Sequence, residues 1–163
     1  MEAHLRPTSD RVRESLFSML SHLGVIHGAR VLDLFAGTGA LGLEALSRGA
    51  AAVVFVENGR VAQGLITDNI RKLRADGQGK LLRADATKLG PCLTGPADLV
   101  FLDPPYGKGM GQQALQSARA GGWLAQGALV VWEESAPMEA PQGFVRTDRR
   151  KFGTTHVTLL KVD

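Results

Sequence analysis

The stretch that most constrains this chain runs from Val31 to Gly42, Val-Leu-Asp-Leu-Phe-Ala-Gly-Thr-Gly-Ala-Leu-Gly. Its apolar start, Val31 to Phe35, is interrupted by one acid, Asp33, and reads as a strand buried in a parallel sheet. Gly37 and Gly39 lack a Cβ, so the backbone there can turn tightly and come close to a ligand. Leu41, Leu43, Ala45 and Leu46 then keep helical spacing to about Arg48-Gly49. Strand, glycine turn and helix in that order make the nucleotide site of a doubly wound α/β sheet.

Two cofactor classes use such a turn. Gly37, Gly39 and Gly42 satisfy G-x-G-x-x-G, and Glu57 follows Gly37 by twenty residues, as in a dinucleotide fold. The acid at Asp33 argues against NAD, because it would repel a pyrophosphate drawn to the same helix N-terminus. It suits S-adenosylmethionine (SAM), which carries a sulfonium, an ammonium and adenosine but no phosphate. D-x-x-x-G-x-G resembles the first motif of the SAM-dependent methyltransferases. On this turn alone, SAM is favoured and NAD stays open.

The rest of the chain repeats the theme. Ser9 and Asp10 are helix-capping types, and Val12, Leu16, Met19, Leu20 and Leu23 mark the face of a helix that stops at Gly24. Strands are expected at Ala52–Val56, Leu81–Ala84, Asp98–Leu102 and Ala128–Trp132, ending on Glu57, Asp85, Asp103 and Glu133. Helices are expected from Arg60 to Ala75, with Val61, Leu65, Ile66, Ile70 and Leu73 buried, and from Gln112 to Ala120. Two extended stretches, Gly143–Phe152 and Thr155–Val162, meet at Gly153-Thr154 as a hairpin closing one sheet edge. The expectation is an α/β fold: a doubly wound, mostly parallel seven-stranded sheet with a C-terminal antiparallel hairpin. At 163 residues it is a single domain, with an N-terminal helical segment (1–24) and a Rossmann-like core (25–163).

Ligands of open α/β sheets bind beyond the carboxyl ends of the strands. Asp33, Glu57, Asp85 and Asp103 should therefore line one crevice, where ribose hydroxyls suit Glu57 and the adenine amino group suits Asp85. This pattern strengthens SAM over NAD. Glu57, as a strand-end acid at a crevice, is expected to be dispensable for the fold.

Asp103-Pro104-Pro105-Tyr106 follows the fourth strand. Two prolines stiffen the loop and remove two N–H donors, so it presents carbonyl oxygens. An acid followed by such a carbonyl makes a pair of acceptors, and Tyr106 adds a flat face on which a base can stack. Those parts fit an exocyclic amine. The alternative is a Pro-rich turn with Tyr106 as a core filler.

These residues resemble the amino methyltransferases that carry an [N/D]-P-P-[Y/F/W] motif, and most closely the RsmD-like family, guanine-N2 methyltransferases of small-subunit ribosomal RNA. The resemblance also takes in Arg6-Pro-Thr-Ser-Asp-Arg-Val-Arg-Glu-Ser-Leu-Phe17, Glu57, Asp85 and the final hairpin. It implies a class I methyltransferase fold and SAM as cofactor, with Asp33, Phe35, Gly37 and Gly39 around the methionine part and Thr8 near it. Glu57 would hold the ribose, Asp85 and the Ala86 backbone the adenine, and Asp103, Pro104, Pro105 and Tyr106 would present the amine. Members of the family usually carry a further basic, glycine-containing stretch ahead of the Arg-Pro-Thr segment. Here five residues precede it, which leaves weaker RNA binding, other basic residues or a shortened chain as explanations. Adenine N6, a protein glutamine amide and a SAM-binding assembly factor without catalysis are the alternatives.

Composition narrows the partners. No apolar run approaches the ~20 residues of a membrane helix. Cys92 is alone and His4, His22, His27 and His156 form no spaced cluster, so neither disulfides nor a metal is expected. A cytoplasmic location is the default. The net charge of +3 permits a polyanion such as ribosomal RNA or a small-subunit assembly intermediate. Arg6, Arg11, Arg146, Arg149, Arg150 and Lys151 are the candidate phosphate contacts, the last four on the hairpin, where they could equally protect an edge strand by charge.

Overall fold

The computed structural model describes residues 9–163; Arg6, Thr8 and His4 lie outside them. Its elements are α1 (Asp10–Leu23), β1 (Arg30–Leu34), α2 (Ala40–Ser47), β2 (Ala52–Val56), α3 (Arg60–Lys72), β3 (Gly79–Leu82), β4 (Ala97–Leu102), α4 (Met110–Ala120), β5 (Leu124–Glu134), β6 (Phe144–Phe152) and β7 (Thr155–Val162). Among the described residues these strands form one sheet in the order β3-β2-β1-β4-β5-β7-β6. The first five run parallel, while β7 is antiparallel to β5 and β6 to β7. The expected sheet and hairpin are therefore present. Strand order reverses between β1 and β4, where a doubly wound sheet opens a crevice.

Each face of the sheet buries its own core. Leu16, Phe17 and Leu20 of α1 and Ile66 of α3 pack with Val31, Phe55 and Phe101 on one face. On the other, Leu115 of α4 packs with Leu32, Val100, Trp132 and Leu160. The Phe17 and Phe101 rings lie 5.4 Å apart and tilted, which fixes α1 over β4. Local chemistry sets α1's limits: the Ser9 hydroxyl accepts from the Val12 N–H, and Gly24 closes the helix at φ 72°.

Several sequence expectations shift. Leu23 is half exposed and Phe17 takes the buried place, because α1's inner face is centred on Leu16, Phe17 and Leu20. On α3 the buried residues are Ala62, Ile66 and Ile70, one i,i+4 row, while Val61, Leu65 and Leu73 face outward. Small Ala62 marks where the helix comes closest to the sheet, which a ranking by hydrophobicity misses. Strand β3 ends at Leu82 rather than Ala84, so Asp85 stands in the following loop. Strand β5 continues to Glu134, so Glu133 belongs to the ladder opposite Val157.

Gly42 shows how tightly α2 sits on β1 and β2. A Cβ there would collide with the Phe55 ring, come within 2.8 Å of Val53 Cγ1 and within 3.0 Å of Asp33 Oδ2. Gly42→Ala is expected to cost about 1–3 kcal/mol by overpacking and to lower the melting temperature by several degrees. An unchanged melting curve would show that α2 can back away.

Candidate active site

The site is set by register. Val56 pairs with Leu34, Leu34 with Leu102, and Leu102 with Trp132. Glu57, Phe35, Asp103 and Glu133 are the residues that come next on these four neighbouring strands, at the sheet's carboxyl end. Asp33 stands two positions below Phe35, on the α1–α3 side, and is 1% exposed. The crevice above these residues is where the backbone is least regular: Phe35, Gly37 and Gly39 have φ of 58°, 60° and 82°. A phenylalanine in the left-handed region is uncommon and costs of order 1 kcal/mol, a strain that gathers at functional sites.

Two acids hold this turn from beneath. One oxygen of Glu57 accepts from the Gly37 N–H and the other from the Gly59 N–H, each at 2.8 Å. The same side chain thus joins the turn after β1 to the start of α3. Asp33 Oδ2 accepts from the Gly42 N–H at 3.0 Å, in the first turn of α2. The expectation that Glu57 is dispensable for the fold gives way here, since it is 6% exposed and engaged with backbone through both oxygens.

Burial pushes the Asp33 carboxyl well above its usual range, the Gly42 N–H opposes this, and the charges of Asp103, Glu133 and Glu57 add to the rise. Asp85 behaves oppositely. Thr87 donates to its Oδ1 through both its hydroxyl (2.7 Å) and its N–H (2.9 Å), and these bonds lower its pKa. It is thus a charged acceptor at the surface of the loop, next to buried Ala86.

Beyond β4, Pro104 is buried while Asp103, Pro105 and Tyr106 are part-exposed. Asp103, Tyr106 and Glu133 line a cavity of about 850 Å³. Ser9, Arg11, Val12 and Ser15 of the α1 N-terminal end form one wall, and Lys151 to Thr155 of the hairpin turn form another. The volume is within the range of small-molecule sites. The cations are exposed and Glu133 is buried, so positive charge is on the rim and negative charge inside.

The other basic candidates are placed unequally. Arg149 and Arg150 border a separate hollow with Pro137 and His156, and Arg150 is tied to Asp148 at 2.8 Å. Arg146 is five positions before Lys151 on β6, roughly 16 Å back along the strand, away from the cavity. A further cavity of about 350 Å³, at the amino ends of the strands among Arg30, Gly79, Ala97 and Trp123, contains none of the strand-end acids. Among the described residues no cluster of His, Cys, Asp or Glu could hold a metal ion, and no helix is long and apolar enough to cross a membrane.

Sequence reasoning missed Glu133 as a site residue, although the strand-end rule applied to the other acids points to it. It also missed Phe152 to Thr155, which carry no local signal and reach the cavity only through the fold.

The chain and its architecture have relatives. The family described as conserved hypothetical protein 95 matches residues 1–161. Ribosomal RNA small subunit methyltransferase D of Escherichia coli is 39% identical over 137 residues, 84% of this chain and 68% of that protein. The protein of the same name from Haemophilus influenzae is 33% identical over 154 residues, 91% of this chain and 79% of that one. The solved structure of yhhF from Escherichia coli superposes with a TM-score of 0.82 at 34% identity, covering 97% of this chain and 88% of that chain.

Two stability experiments probe the turn. Glu57→Ala strands two backbone N–H groups and is expected to cost about 1.5–3 kcal/mol in denaturant unfolding without ligand, the scale of bonds to a charged group. A parent-like curve would show the bonds carry no weight. For Asp33, a raised folded-state pKa means the stability it contributes is full below the unfolded-chain value of about 3.9 and is lost as pH rises through the folded value. Asp33→Asn cannot ionise, and its amide oxygen can still accept from Gly42. Its melting temperature relative to the parent should therefore rise from about pH 4 to about pH 8. A gap that does not change with pH would mean Asp33 titrates normally.

Proposed function

Since the chain belongs to the conserved hypothetical protein 95 family, the RsmD-like methyltransferases, we propose that it moves a methyl group from SAM to the N2 amine of a guanine in small-subunit ribosomal RNA. The observation that carries this is that Asp103 and Tyr106 line a cavity whose cations, Arg11 and Lys151, are exposed. The names of the Escherichia coli and Haemophilus influenzae relatives support the RNA substrate.

The turn suits the cofactor on its own terms. No atom lies within 4 Å of where a Gly37 Cβ would stand, so the backbone is open to a ligand there. The acids beneath and beside it favour a cation over a pyrophosphate. Gly37, Gly39 and Phe35 would hold the methionine part, with Asp33 beneath the turn. Glu57 would hold the ribose through lone pairs left over from its two backbone bonds, and Asp85 with the Ala86 backbone would hold the adenine. Thr8 is proposed near the methionine end. Bound SAM supplies a sulfonium methyl that is already a good electrophile.

The chain's own part is to position and desolvate the nucleophile. An aromatic amine is weakly nucleophilic because its lone pair is delocalised into the ring. Asp103 and the Pro104 carbonyl accept from its two N–H groups, which favours a pyramidal nitrogen, while rigid Pro105 fixes the loop and Tyr106 stacks on the base. The amine's lone pair forms the new N–C bond as the methyl's C–S bond breaks toward sulfur, leaving a neutral thioether. The nitrogen then gives one proton to water, so no histidine base is needed. Orientation supplies most of the rate. The base must leave its stack to enter, which favours single-stranded or loosely paired RNA. Arg11 and Lys151 on the rim, with Arg149 and Arg150 further along the hairpin, would take phosphates; Arg146 and Arg6 are proposed as outer contacts.

Labelled SAM incubated with ribosomal RNA or small subunits, followed by mapping of the methylated base, tests the proposal directly. Methyl on any atom other than guanine N2 would overturn the substrate assignment. Asp103→Ala should leave SAM affinity within a few-fold while turnover falls by about 10²-fold or more. Full methylation by that variant would reduce Asp103 to Tyr106 to a structural turn. Arg149→Ala should do the reverse, weakening RNA binding and reducing its salt slope by about one, with SAM binding unchanged.

A further inference from the structure

We propose that Glu133 is a specificity-determining residue of this site: its carboxylate accepts from N1–H of the target base while Asp103 holds the neighbouring amine, so that guanine is accepted and adenine refused. This rests on the methyl-transfer reading given above and extends it.

Geometry places the two acids together. Leu102 of β4 and Trp132 of β5 are register partners, and Asp103 and Glu133 are the next residues on these parallel strands. They line the same cavity as Tyr106. Alternation puts them on the same side of the sheet as Phe101 and Val131, two positions before them, and Asp33 responds to the charge of both. Glu134, one residue on, falls on the opposite side. Glu133 is only 2% exposed.

The chemistry then separates the bases. On its Watson–Crick edge guanine offers two adjacent donors, N1–H and the N2 amine. Two adjacent carboxylates are the complementary acceptors. Adenine offers its N6 amine beside a bare N1 lone pair, which would face the Glu133 carboxylate with no proton between them. A site built to accept a hydrogen bond rejects an analogue lacking the donor far more strongly than an apolar pocket rejects a missing methyl. Arg11 and Lys151, the exposed cations of the same cavity, meet phosphate at the rim and leave the base edge to the acids.

The test removes the N1 proton from the base and an acceptor oxygen from the residue. Once the target is mapped, a short synthetic RNA is made with guanine or with 2-aminopurine there. The analogue keeps the 2-amine but has a bare N1. Parent and Glu133→Gln, whose amide can donate to that N1, are compared by kcat/KM on both RNAs, with SAM affinity measured alongside. The parent is expected to favour guanine by about 10²-fold or more. Glu133→Gln should shrink this preference at least about tenfold while SAM affinity stays within about two-fold, and the intrinsic reactivity of the two amines cancels in the ratio of ratios. Equal losses on both RNAs, or no change on either, would overturn the assignment. Should the variant not fold, the parent decides: equal use of guanine and 2-aminopurine refutes the role of Glu133. Failure of the parent to methylate guanine N2 at all removes the function reading and this assignment together, whereas methylation without discrimination removes this assignment alone.

Discussion

Burial of carboxylates at one end of the sheet is the constraint to which the rest of this structure answers. Parallel register brings Glu57, Asp103 and Glu133 level with one another, and Asp33 lies just below them, deeply buried. Burial does most to push the Asp33 carboxyl up, and the charges of Asp103, Glu133 and Glu57 add to the rise. The fold meets part of this cost with backbone. Gly42 in the first turn of α2 and Gly59 at the start of α3 turn their N–H groups to Asp33 and Glu57, and the helix termini add partial positive charge.

That compensation explains why the glycines sit where they do. Gly37 turns its N–H to Glu57 in a left-handed conformation that a side chain would strain. Gly42 brings α2 against Phe55 and Val53, so that its own N–H reaches Asp33. A sheet end assembled this way is rich in acids and braced from beneath by backbone N–H groups.

The second half of the site comes from the two ends of the chain. The Phe17–Phe101 contact holds α1 over β4, and β7 pairs with β5 so that the hairpin turn comes up beside Asp103 and Glu133. Asp103 and Glu133 thus come from the ends of core strands, while the other walls of the cavity and its exposed cations belong to the elements at either side.

The strand–glycine turn–helix at Val31 to Gly42, the acids at the strand ends, the Asp103 to Tyr106 loop and the C-terminal hairpin were all legible in the sequence, because each depends on contacts among near neighbours: side-chain alternation, a glycine's freedom in φ, a proline's fixed φ. The inner face of α3 was not, since Ala62 is buried and Val61 exposed only because of which side of the helix meets the sheet. Nor was the structural duty of Glu57, whose partners Gly37 and Gly59 come together only once β1 and β2 are paired. Strand order, the level row of acids and the meeting of the α1 N-terminal end with the hairpin turn around Asp103 and Glu133 were decided by tertiary structure. They depend on pairings between residues far apart in the chain, which no local pattern encodes.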